Sequence, residues 1–215
     1  MLSLRHGRRA RRRARIVALR DSTSVDPRSG AVRSVQRADM EIELEALEAI
    51  WTPAHLERLA RTYWRFLTRV TLGLIRVRYG ERERAVVLLA RPLKLLIFQA
   101  PEYEMDATRG LVRWRIARGL LVSRRGRDGR GYLQIEVRRA PADGSAPAGA
   151  CVPLHVEVEV ANFYPSIASR LSLRVYNATQ SRIHVIVTYG FLRSLVRLDL
   201  AESRVGSMGA PQPRA

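Results

Sequence analysis

The chain has 215 residues, of which 47% are hydrophobic, and its 38 Lys and Arg against 20 Asp and Glu give a net charge of +18. That length suits one large domain with a sizeable core, while a single cysteine, Cys151, excludes an internal disulfide and a cysteine-rich zinc site and fits a reducing, cytoplasmic setting. No run approaches the ~18 uncharged apolar residues of a membrane-spanning helix, and no apolar stretch follows the early arginines as an export signal requires.

Residues 1–39 carry 11 Arg against three Asp and little that could form a core, so they are expected to be a disordered tail. Three accounts of this tail stand side by side. It is an electrostatic anchor, with Arg8, Arg9, Arg11, Arg12 and Arg13 meeting nucleic acid or an anionic membrane; a targeting segment; or a stretch upstream of a true start at Met40. Because Lys94 is the one lysine, coding bias explains most of the arginines more simply than a demand for guanidinium chemistry. Residues 40–215 remain basic, with 27 Lys and Arg against 17 Asp and Glu.

Met40, Ile42 and Leu44 alternate with Glu41, Glu43 and Glu45, which predicts a first strand, although Glu, Leu and Ala are also good helix formers. Thr52 and Pro53 then supply an N-cap and a first-turn proline. Leu56, Leu59, Ala60, Tyr63, Leu67 and Val70 recur at helical spacing, predicting a helix over 53–70. From Thr71 to Asn162 the period is two, with strands expected at 72–79, 84–90, 94–105, 111–122, 131–140 and 153–162. Val112, Trp114 and Ile116 oppose Arg113 and Arg115; Leu133, Ile135 and Val137 oppose Gln134, Glu136 and Arg138; Leu154, Val156, Val158 and Val160 oppose His155, Glu157 and Glu159. One face of such an antiparallel sheet is apolar and the other charged.

A short helix is expected within SIASRLSLRVY (166–176), and a long one over residues 177–200. On a helix Arg182, Arg193 and Arg197 share a narrow stripe, while Val187, Phe191, Leu195 and Leu198 lie away from it. Gln180, His184 and Thr188, at spacing four, form a polar series on the buried side. Residues after about 202, rich in Gly, Pro and Ala, read as a frayed tail, so 203–215 are set apart from a domain over 40–202. The expected fold is α+β: a curved antiparallel sheet of about six or seven strands wrapped around a long C-terminal helix, with an N-terminal helix.

This order of elements, with PEYEMD (101–106), NFYP (162–165) and the TQSRIHVIVTYGFLRSL run, resembles the helix-grip fold of the START and birch-pollen-allergen superfamily, SRPBCC, which includes polyketide cyclases and dehydrases. The resemblance spans Met40 to Leu200, with one helix at 53–70 where the family has a pair of short ones. It implies a cavity between the sheet and the terminal helix that holds a lipid or another hydrophobic small molecule. Such cavities are apolar with few polar points. Gln180, His184 and Thr188 would be those points here, with Trp114, Ile116 and Tyr132 lining the opposite wall. The competing reading makes His184 a core histidine and Trp114 and Tyr132 ordinary core aromatics.

No nucleophile elbow, P-loop, dinucleotide fingerprint or HExxH motif is present, and His6, His55, His155 and His184 are too scattered for a metal site, so no cofactor or metal is expected. Glu102, Glu104 and Asp106 share one strand side and read first as a solvated, arginine-paired edge. For a cyclase- or dehydrase-like alternative, His184 with Glu102 or Glu104 would be the acid/base pair. Nucleic-acid attraction through the tail and the SRRGRDGRG loop would be non-specific, since no base-reading motif accompanies it.

Overall fold

Strands of alternating apolar and charged residues dominate the computed structural model, which describes residues 14–80, 83–88, 93–141, 147, 149–165 and 191. The strands are β1 (Ala14–Val25), β2 (Val32–Glu43), β3 (Ile75–Tyr79), β4 (Glu83–Leu88), β5 (Leu93–Gln99), β6 (Glu102–Met105), β7 (Arg109–Arg118), β8 (Tyr132–Arg139) and β9 (Cys151–Phe163). They form one antiparallel sheet in the order β1-β2-β9-β8-β7-β5-β4-β3, with β6 also paired to β7. Two helices follow β2, namely α1 (Leu44–Ile50) and α2 (Pro53–Val70).

Register fixes which side chains share a face. Gln36, Val158 and Ile135 lie in one row, as do Ala38, Val156 and Val137, and Leu133 faces Trp114 in the next pair. This dry face forms the main core with Leu47 of α1 and with Leu56, Leu59, Ala60, Tyr63 and Trp64 of α2. Trp64 anchors the packing, with ring centroids 5.1 Å from Trp114, 5.4 Å from Phe98 and 5.3 Å from Tyr63. Edge-on and tilted geometries of this kind add about 0.5–1.5 kcal/mol per pair beyond area burial.

The opposite face is ionic. Arg15 pairs with Glu41, Arg37 with Glu157, Arg33 with Glu159, Arg115 with Glu102, and Arg109 with both Glu104 and Glu136. Glu136 is covered by Arg109 and Arg138, which donate to Oε1 at 2.7 and 2.6 Å, while Gln134 donates to Oε2. Val35 and Leu111 are also buried on this side.

The expected fold requires correction. Among the described residues the chain is a nine-stranded sheet with two helices and no long C-terminal helix, and α1 and α2 cover the dry face. The expected helices over 166–176 and 177–200 lie outside the described residues apart from Phe191, whose buried ring is 5.7 Å from that of Tyr63. Residues 14–39, expected to be disordered, supply β1 and the first eight residues of the twelve-residue β2. Residues 1–13 and 203–215 lie outside the described residues.

The strand expected near 40–45 is the end of β2, and Leu44, Ala46 and Leu47 follow their helical propensity into α1. The helix over 53–70 is found with those bounds, and the Thr52 side chain accepts from the backbone N–H of His55 as its N-cap. The strand expected over 94–105 divides into β5 and β6, both paired to β7, because Pro101 at the break has no N–H to donate.

Glu136 is the most deeply enclosed carboxylate of the ionic face whose titration is displaced. Burial pushes its pKa up, but hydrogen bonds and charge from Arg138 and Arg109 outweigh that and hold it below the ordinary glutamate value. Its contribution is therefore present above the unfolded pKa and is lost as pH falls through the folded one. Glu136→Gln is expected to lower stability by about 1–2 kcal/mol at neutral pH, since solvent screens both guanidiniums. Urea unfolding should show the gap between the two proteins closing in the acid range.

Candidate functional site

Where α1 meets α2, the dry face is not filled completely. A cavity of about 60 Å³ remains, floored by Met40 and Ile42 of β2, Leu154 and Val156 of β9, Val137 of β8 and Gly110 of β7. Leu47, Ile50, Leu56, Leu59 and Met105 complete its apolar wall, and its polar points are Trp51, Thr52 and His55. Gly110 matters for the space it leaves: a Cβ there would stand 3.5 Å from Leu56 Cδ1, in ordinary contact, so any larger side chain projects into the gap.

Trp51 joins the two helices and closes one side. Its Nε1 donates to the Asp106 carbonyl at 2.9 Å, and the Arg139 guanidinium lies 4.5 Å from its ring centroid. Arg139 is itself held by Glu48 at 2.6 Å and by the Ala107 carbonyl. The Asp106 carboxylate caps the turn between β6 and β7 by accepting from the N–H groups of Thr108 and Arg109. Those bonds hold its pKa below the usual carboxylate range.

The polar pair has a defined proton arrangement. Arg58 lies 3.1 Å from His55 Nε2 and can only donate, so Nε2 offers its lone pair and the imidazole proton sits on Nδ1. Nδ1 then donates to Thr52 Oγ1 at 2.8 Å, and the same oxygen also accepts the His55 backbone N–H. Burial, followed by the charge of Arg58, lowers the His55 pKa and keeps the ring neutral. With both nitrogens engaged, this histidine is built to orient Thr52 rather than to shuttle protons. The remaining Thr52 hydroxyl hydrogen makes the pair a neutral donor at the edge of an apolar space.

Of the residues expected to line a ligand site, Trp114, Ile116 and Tyr132 are described, and none of them borders this cavity. Trp114 and Ile116 are core residues, each almost fully buried, and neither lines the cavity. Tyr132 lies on the ionic face, where its hydroxyl donates to Glu159 at 3.1 Å and Arg113 covers its ring, so the strand places it on the side away from Trp114. Gln180, His184 and Thr188 lie outside the described residues, as do Arg8, Arg9, Arg11, Arg12 and Arg13. Glu102 and Glu104 sit on the ionic face as arginine partners. Among the described residues no cluster of His, Cys, Asp and Glu could hold a metal ion, and no helix is long and apolar enough to cross a membrane.

Neither a protein-family model nor a curated protein matches this sequence.

The state of His55 sets a pH dependence. Its folded pKa lies below the unfolded value of about 6.5, so protonation opposes folding. The His55 contribution to stability is expected to be level above that pH, to decline as pH falls through it toward the folded pKa, and to level off again. In His55→Gln that decline should be missing from the pH profile of the urea midpoint.

Proposed function

We propose that this protein binds a slender hydrophobic molecule, of the kind represented by an aliphatic chain bearing a hydrogen-bond acceptor, in the cavity between the α1–α2 junction and the sheet. One observation carries the reading: an apolar gap meets a single uncharged donor pair, Thr52 and His55. Apolar walls supply affinity and the few polar groups fix orientation.

Size narrows the class. At about 60 Å³ the space is less than half of a cavity of about 150 Å³ that takes up benzene. A chain end fits that description better than a sterol or fused-ring polyketide. Met105 can widen the gap by changing rotamer, because an unbranched thioether adapts at little cost.

Butan-2-one, a short chain with one carbonyl acceptor, and a sterol probe, titrated against the purified protein, test the idea. The short chain should bind and the sterol should not. Gly110→Val should weaken butan-2-one binding about tenfold or more while leaving the fold intact. Leu47→Ala should lose about 2–5 kcal/mol of stability and admit bulkier probes. Binding unchanged by Gly110→Val would refute the site.

A further inference from the structure

Antiparallel pairing gathers several connections at the end of the sheet opposite the cavity. Ile75, just after the turn that ends α2, pairs with Leu88, which in turn pairs with Leu93. Leu120 donates its backbone N–H to the Lys94 carbonyl, which brings the start of the β7–β8 connection to the same place. Four leucines stand out from these connections: Leu72 is 91% exposed, Leu74 57%, Leu120 54% and Leu93 40%. Single exposed leucines need no explanation, but four grouped at one end do.

Two backbone features hold them outward. Leu72 has φ 50°, a left-handed conformation unfavourable for a branched side chain, in a turn whose exposed leucine gains no packing in return. Gly119 has φ 148° and lies so close to β5 that a Cβ would fall 2.2 Å from the Leu95 carbonyl oxygen, which fixes the course of the chain into Leu120.

Cations accompany the leucines, and Lys94, Arg118 and Arg127 line one surface depression with Leu93 and Leu120. Arg69 and Arg76 flank Leu72 and Leu74, and Arg124 and Arg127 follow Leu120 in the 3-10 turn Arg124–Asp128. All four are exposed, and among the described residues none is ion-paired to a carboxylate. Lys94 and Arg118 are nearby and share one carboxylate, Glu83, each at 3.7 Å.

We propose that this end of the sheet is a docking surface for an anionic bilayer, with Leu72, Leu74, Leu93 and Leu120 entering the acyl boundary while the surrounding arginines meet headgroups. Charge complementarity selects this occupant. An apolar protein patch would match the leucines but leave unpaired guanidiniums, and a nucleic acid would match the guanidiniums but leave the leucines wet. An anionic lipid surface satisfies both at once. The proposal stands apart from the cavity, which lies at the other end of the strands, so either can fail without the other.

Co-sedimentation of the full chain with phosphatidylcholine vesicles, with and without about a third phosphatidylserine, tests it. Binding is expected to the anionic vesicles only. Leu72→Ser with Leu120→Ser should reduce the partition coefficient about tenfold or more, and Arg124→Glu with Arg127→Glu should do the same. Leu72→Gly should melt no lower than the parent protein, since glycine accepts that φ, yet still lose binding. The arginines of residues 1–13 remain present in every variant, so undiminished binding by the serine pair would mean that attraction comes from there and would overturn the proposal. Equal binding to neutral vesicles, or none to anionic ones, would overturn it as well.

Discussion

Ile135 and Val158 lie side by side on one face of the sheet, while Glu136 and Glu159, one residue further along the same strands, lie beneath guanidinium groups on the other. That alternation is the constraint on which the remaining structure depends. A sheet with one dry face must cover it, and α1 and α2 do so by way of Leu47, Leu56, Leu59, Tyr63 and Trp64. Its other face can stay in water only because cross-strand Arg–carboxylate pairs shield the apolar atoms between them. A one-residue slip of β8 against β9 would turn Glu136 into the aromatic core, so the ionic ladder also fixes register.

Where apolar and charged residues alternate cleanly, the sequence reveals both strand and facing: β7, β8 and β9 are legible from Val112 to Val158. β1 and the part of β2 before Met40 are not, for a physical reason. The inward series of β2 runs Val32, Ser34, Gln36, Ala38, Met40 and Ile42, so polar and small residues occupy positions where an apolar pattern would be sought. Gln36 Nε2 donates to the Ser34 hydroxyl, which also bonds Thr23 of β1, while the buried Gln36 Oε1 has no partner among the described residues. Their strand character comes from partners far away in sequence, which no local window contains. The outward arginines compound the difficulty. Arg15 and Arg33 read as a solvated tail until their carboxylate partners Glu41 and Glu159 are placed opposite them.

The cavity shows the same limit at finer scale. Thr52 is visible in the sequence as an N-cap, but neither spacing nor composition tells that it and Gly110 border one space. The position of His55, three residues after the capping threonine, is the available signal. It lets the side chain fold back onto the hydroxyl that its own backbone also reaches. Tyr132 is the opposite case. Strand parity alone assigns it to the charged side, since Leu133 and Ile135 are inward.

Charge completes the picture because the excess is unevenly distributed. Across β1, β2, β9, β8, β7 and β6 the ionic face sets Arg15, Arg20, Arg33, Arg37, Arg109, Arg113, Arg115 and Arg138 against Glu41, Asp39, Glu159, Glu157, Glu136, Glu102 and Glu104. That face is close to neutral and spends its cations on cohesion. The surplus behind the net charge of +18 must therefore reside elsewhere, and Arg69, Arg76, Arg124 and Arg127 carry part of it at the end of the sheet that also exposes four leucines. Repulsion among like charges opposes compactness, so cations left without carboxylates beside wet apolar side chains run against folding stability on two counts. Both penalties fall away on one kind of surface, apolar within and anionic at its boundary.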